Sequence, residues 1–200
     1  MFSNPLHLDV TAFCICRNYN YTLSANGKAD VHGDEYENDY LTDVITTKAL
    51  DWLEDFSNLK DKHDDGMFHP FLMVLATTAP KGVGMPISAP QYENEYPDKK
   101  APRTPAFNYV KNGNSDKHWL MRYNSETLDD NAIELVDEWF RHRWRALLSV
   151  DDMIDEVMTK LENIDELDNT FVIFSSDHGY HLGTFGNPPG KRLNYESGKT

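Results

Sequence analysis

The sequence predicts an α/β fold in which a mostly parallel sheet is flanked by helices, and three observations carry that expectation. Residues 70–76 and 171–174 are short, continuously apolar runs, as in strands buried on both faces. Residues 39–56 and 131–162 carry apolar side chains at helical spacing. Strands thus alternate with long helices, and such sheets place their ligands beyond the carboxyl ends of the strands.

Each element has its own justification. In 39–56, Leu41, Val44, Ile45, Leu50, Trp52, Leu53 and Phe56 recur three and four residues apart, a packing helix. The run Phe71-Leu72-Met73-Val74-Leu75-Ala76 is a strand candidate that ends in Thr77-Thr78-Ala79-Pro80. Pro80, Pro86, Pro90, Pro97, Pro102 and Pro105 then forbid regular structure over the next fifty or so residues, and an ordered loop of that length usually covers a site. The stripe from Ile133 to Leu161 marks a second long helix, with a break expected near Ser149, whose hydroxyl precedes Asp151-Asp152. Phe171-Val172-Ile173-Phe174 is the second strand candidate and delivers Ser175-Ser176-Asp177-His178-Gly179 at its end.

Composition narrows the function classes. The 200 residues hold 33 acidic and 19 basic side chains, a net charge of -14. That charge repels nucleic acid and anionic lipid, so neither is expected as a partner. No apolar run reaches the roughly 20 residues of a membrane span, and residues 1–10 lack the pattern of a signal peptide. Cys14 and Cys16 are too close in sequence for a mutual disulfide or a zinc clip. The triplet Asn20-Tyr21-Thr22 is an acceptor for a glycan in the secretory pathway.

Asp177 and His178 lie side by side where a strand ends, before a glycine that permits a sharp turn. A carboxylate and an imidazole so placed can bind one divalent cation, and their chemistry leaves calcium and magnesium both open. His181, Lys191 and Arg192 add cationic groups to the same loop, a local anion pocket in an acidic chain. The same residues also read as an ordinary turn from strand to loop.

Residues 170–196, with Ser175-Ser176-Asp177-His178-Gly179-Tyr180-His181 and Gly190-Lys191-Arg192, resemble the sulfatases. The likeness extends through Asn20-Tyr21-Thr22-Leu23-Ser24, Tyr40-Leu41-Thr42-Asp43-Val44, Ala89-Pro90-Gln91-Tyr92 and Leu148-Ser149-Val150-Asp151-Asp152 towards the N-acetylglucosamine-6-sulfatase branch, with heparan 6-O-sulfatases as relatives. On this resemblance residues 1–18 are an unmatched leader, 19–196 a partial sulfatase domain and 197–200 a truncated end.

The resemblance implies an alkaline-phosphatase-like α/β fold, incomplete at both ends. It implies hydrolysis of a sulfate ester on a sulfated glycosaminoglycan such as heparan or keratan sulfate, a Ca2+ ion, a formylglycine made from cysteine, and a lysosomal or secreted location. By position, Asp177 and His178 match two calcium ligands, the second of which is Asn in many relatives. Lys191 matches the lysine that contacts the sulfate, and His181 matches a loop histidine able to donate to a sulfate oxygen or to the sugar.

The sequence departs from the family in two places. The formylglycine pattern, a Cys followed two residues later by Pro or Ala and then Ser-Arg, does not occur, and Cys14-Ile15-Cys16-Arg17-Asn18 does not satisfy it. Where relatives read Ala-Pro-His, this chain reads Ala79-Pro80-Lys81. A lysine there binds an anion, but with an ordinary pKa of about 10.4 it replaces a histidine poorly as an acid or base. The expectation is therefore a sulfuric ester hydrolase by family, inactive as this piece. Two alternatives stand beside it: a protein that holds sulfated glycans without cleaving them, and a metal-dependent phosphoesterase of the wider superfamily.

Overall fold

The computed structural model describes residues 10–12, 17–62, 70–81, 84–110, 118–119 and 126–191. They group into two units: described residues within Met1–Glu93 and Arg145–Phe171 form the first, and those within Asn94–Trp144 and Val172–Thr200 the second.

The first unit is built on an antiparallel sheet in the order β1 (Val10–Ala12), β2 (Tyr21–Ala25), β3 (Lys28–His32). Asn26 and Gly27, both at positive φ (52° and 78°), close the β2–β3 hairpin, a backbone that Asn-Gly adopts at little cost. This hairpin is not among the elements expected above, although Asn-Gly between two strands is the strongest local signal for one. Alternation along β2 buries Tyr21 and Leu23, which pack on Leu41, Val44 and Ile45. These three belong to α2 (Leu41–Lys62), which follows the short α1 (Tyr36–Asp39).

Ile45 also joins a cluster formed by Ala79, Ala146, Val150 and Met153, the last three from α3 (Asp130–Asn163). An ion pair between Lys160 and Glu54 ties the same two helices near their far ends. The break expected near Ser149 is absent, because the apolar stripe of Ala146, Val150, Met153 and Val157 runs straight through it. Ser149 is buried, with its side chain beside Tyr40, rather than capping a new helix.

Among the described residues neither apolar run forms a ladder, which corrects the expectation of strands buried on both faces. Residues 70–76 are extended with one face covered. Phe71 packs edge-on against Trp52 and Phe56, and Leu75 lies against the Ala146 cluster, whereas Leu72 and Val74 are 88% and 75% exposed. Phe171 is 98% and Ile173 87% exposed. A strand buried on both faces needs neighbours at its edges and layers above and below, and the described residues supply a helical layer on one face of 70–76 only.

The second unit hangs its loops on the first half of α3. Asp137, 1% exposed, accepts from the Ala101 N–H at 2.9 Å and from Arg103 Nη2 at 2.6 Å. The Arg103 guanidinium stacks on Phe107, 4.0 Å from the ring centre. Phe107 pairs with Thr184, and the Asn108 N–H donates to the Gly183 carbonyl at 2.7 Å. Gly183 has φ 83°, and a Cβ there would run into the Phe107 ring, so this close approach requires glycine. The proline-rich loop thereby fixes the segment that carries the candidate site. Apart from short 3-10 turns such as Pro90–Tyr92, its described part is irregular, as the prolines predict.

Candidate active site

Asp177, His178 and Lys191 meet at one end of this segment. Ser176 Oγ donates to the His178 carbonyl at 2.8 Å, turning the chain. His178 Nδ1 lies 2.8 Å from the Gly179 carbonyl, which only accepts, so Nδ1 carries the hydrogen and Nε2 offers a lone pair. Lys191 Nζ stands 2.6 Å from that Nε2 and donates to it. The Asp177 carboxylate, 87% exposed, reaches within 3.6 Å of the same nitrogen.

Lys191 reaches this position through the backbone of the loop. His181 and Gly190 exchange two main-chain hydrogen bonds, 2.8 and 3.1 Å, folding residue 191 back towards residue 178. The His181 ring, 4% exposed, lies against Gly190, and its Nδ1 is 2.8 Å from the Pro188 carbonyl. Burial lowers its pKa below the usual histidine value, opposed in part by that carbonyl. A neutral ring whose Nδ1 hydrogen is committed to Pro188 presents an acceptor at Nε2, which suits holding the loop better than donating to an anion. Nε2 itself has no hydrogen-bond partner among the described residues.

The other candidates lie in the first unit. Lys81 is half-buried, and its N–H donates to the Thr78 carbonyl at 2.8 Å. Asn20 is exposed at φ 53°, its N–H donating to the Gly33 carbonyl at 2.6 Å. Arg192 lies outside the described residues, as do Cys14 and Cys16.

The spacing of the two donors suits a divalent cation, but the Nε2 lone pair here takes the Lys191 ammonium, so the pair could hold a cation only with that ammonium displaced. Two ligand atoms about 2.4 Å from one ion and at right angles stand about 3.4 Å apart, close to the 3.6 Å between Asp177 Oδ2 and His178 Nε2. A backbone carbonyl on the far ring nitrogen is the usual device for orienting a metal-binding imidazole. Among the described residues no third His, Cys, Asp or Glu joins them. The lysine beside them would meet the anionic group of a bound ligand.

The whole segment therefore brings a carboxylate, an imidazole and an ammonium together in one turn, and residues 6–200 match the family described as Sulfatase. The chain belongs to the sulfatase family. It is 43% identical over 178 residues to the N-acetylglucosamine-6-sulfatase of Homo sapiens, covering 89% of this chain and 30% of that protein. It is 35% identical over 178 residues to a putative extracellular sulfatase of Caenorhabditis elegans, covering 89% of this chain and 24% of that one. The chain thus spans about a third or less of the length of these sulfatases. A solved structure of a protein in complex with its substrate D-glucosamine-2-N,6-O-disulfate superposes with a TM-score of 0.65 at 20% identity, covering 96% of this chain and 48% of that one. That likeness establishes the fold as the alkaline-phosphatase-like α/β fold of the sulfatases, as the sequence predicts.

Proposed function

We propose that this chain supplies part of the active site of a sulfuric ester hydrolase of the N-acetylglucosamine-6-sulfatase type, acting on 6-O-sulfated glucosamine in glycosaminoglycans such as heparan or keratan sulfate. The observation that carries the reading is the convergence of Asp177, His178 and Lys191. Relatives named as glucosamine sulfatases support the substrate class.

In this reading the Lys191 ammonium gives up the His178 Nε2 lone pair, and Asp177 Oδ2 and His178 Nε2 would then hold a calcium ion, which would screen the charge of the sulfate. Gly179 orients the imidazole through its carbonyl. Lys191 donates to a sulfate oxygen, a charge-assisted contact worth about 1.5–3 kcal/mol. His181 holds the return of the loop. Lys81 adds a second cation for the sulfated chain, and Asn20 carries a glycan on passage through the secretory pathway to a lysosomal or extracellular destination.

Lacking a cysteine in the formylglycine pattern, the chain by itself binds and does not hydrolyse. The test is calorimetric titration of the chain with calcium and then with glucosamine 6-sulfate, with released sulfate measured alongside. Expected are calcium-dependent binding, its loss in Lys191→Ala, and no sulfate release. Tighter binding of glucosamine 6-phosphate than of the sulfate would overturn the reading in favour of a phosphoesterase, and binding indifferent to calcium would remove the metal pair.

A further inference from the structure

Asn108 joins three segments that lie far apart in the sequence. Its side-chain amide donates to the Leu128 carbonyl at 3.0 Å, and its Oδ1 accepts from the Leu128 N–H at 2.6 Å. Its own backbone N–H donates to the Gly183 carbonyl at 2.7 Å, and beside it the Phe185 N–H donates to the Ala106 carbonyl at 2.8 Å. An asparagine side chain carries the donor and the acceptor of a peptide group, so it pairs with Leu128 as a neighbouring strand would. The backbone at Asn108 has φ 49°, which asparagine tolerates better than most residues. Asn108 is not among the site residues expected from the sequence, where its amide carries no chemical signal of its own.

Both sides of this junction lead to something defined. Leu128 precedes Asp129, whose Oδ1 accepts from the Ala132 N–H at 2.8 Å at the start of α3. Gly183 opens the loop that returns to Lys191: its N–H donates to the Asn187 carbonyl at 3.0 Å while its own carbonyl is held by Asn108. Gly186, at φ 69°, passes so close to the same region that a Cβ there would stand 2.9 Å from the Glu126 carbonyl oxygen. Two residues before Gly183, His181 pairs with Gly190, and Lys191 then faces His178. Asn108 thus connects the start of α3 to the loop whose far end carries the ammonium, and all of these residues lie in the second unit.

We infer that Asn108 is a positioning residue for Lys191: by tying Leu128 to Gly183, it sets where the 183–190 return delivers the ammonium. The inference rests on the reading of Lys191 as the sulfate contact, and the two fail separately. The hydrogen bonds of Asn108 are committed to Leu128 and Gly183, so its effect on a bound sulfate passes through the loop. A shift on the order of 1 Å weakens a directional contact strongly. Glycine at position 108 keeps the positive φ and the backbone N–H and removes only the tie to Leu128. Aspartate keeps the size and one acceptor but sets a second acceptor against the Leu128 carbonyl.

The experiment is hydrogen exchange at the Gly183, Phe185 and Gly190 amides together with calorimetric titration with glucosamine 6-sulfate. The proteins are the chain, Asn108→Gly, Asn108→Asp, Lys191→Met and the variant combining Asn108→Gly with Lys191→Met. Expected for Asn108→Gly are faster exchange at these amides and binding weakened about ten-fold, the loss of roughly one charge-assisted hydrogen bond. The combined variant is expected to bind no more weakly than Lys191→Met alone, because a residue that acts through Lys191 then has nothing left to position. A further loss in the combined variant, equal to that of Asn108→Gly by itself, overturns the inference. Affinity that is unchanged in Asn108→Gly, or weakened without faster exchange, overturns it as well. If the parent chain does not bind glucosamine 6-sulfate, the sulfatase-site reading falls, and exchange at Gly190 decides the rest: faster exchange in Asn108→Gly supports a role in setting the return, and unchanged exchange overturns it. Should Asn108→Gly unfold, Asn108→Asp carries the same comparison with Lys191→Met.

Discussion

The ammonium of Lys191 lies 2.6 Å from Nε2 of His178, whose other ring nitrogen is engaged by the Gly179 carbonyl 2.8 Å away. The lysine therefore addresses the lone pair that also faces the Asp177 carboxylate, 3.6 Å distant. Imidazole lone pair, carboxylate and ammonium share one small volume, so any positive ion bound by the pair would feel the lysine.

Replacing Lys191 by Met is expected to move two affinities in opposite directions. Calcium binding strengthens by up to roughly thirty-fold, because a unit charge about 4 Å from a doubly charged ion costs about 2 kcal/mol in water. Glucosamine 6-sulfate binding weakens at least ten-fold with loss of the charge-assisted contact. Calorimetry with each ligand measures both, and a parallel loss of the two would show that Lys191 maintains the loop instead.

His178→Asn is expected to keep calcium binding within about ten-fold of the parent, since an amide oxygen is a good ligand for a hard cation, whereas His178→Ala removes the second donor and weakens binding further. Equal affinity in the two variants would remove His178 from the ligand set.

His181 imposes a pH dependence on stability. Its folded pKa is lowered below the ordinary 6.5, chiefly by burial. Above about pH 6.5 the ring is neutral in both states and contributes no slope. As the pH falls through that value the unfolded chain takes the proton first, so stability declines towards the folded pKa. Urea denaturation from pH 8 to pH 5 is expected to show a shallower decline in His181→Gln than in the parent.

Leu53, 0% exposed on α2, is expected to cost about 2–5 kcal/mol when cut to Ala, while Leu72, 88% exposed, changes stability by under about 0.5 kcal/mol. Denaturant midpoints of the two variants check the contrast.

The bare side chains of Val74 and Ile173, 75% and 87% exposed and without ladder partners among the described residues, predict self-association. Sedimentation of the chain is expected to show concentration-dependent oligomers, which Val74→Lys and Ile173→Lys reduce. A parent that stays monomeric at high concentration would contradict this.

By itself the sequence determined what is local. Helical spacing of Leu41, Val44, Ile45 and Leu53 is a property of a few turns and appears as α2. The proline spacing excludes regular structure over a loop, and Asp177-His178-Gly179 with Lys191 carries the likeness to the sulfatase family. Asn26-Gly27 was equally legible, since two residues at positive φ need no distant partner. Tertiary structure decided what depends on partners. Ser149 sits inside a continuous helix because its neighbours pack on Ala79 and Ile45, residues far away in sequence. Residues 70–76 have strand composition, yet a strand exists only when another backbone accepts and donates across from it, and apolar character cannot state whether one does. His181 became a buried, carbonyl-bound ring, and Lys191 reached His178, because the Gly190 pairing folds the loop back on itself. Such contacts join residues through loop closure and desolvation, and those costs are settled by the assembled surroundings rather than by the identity of either residue.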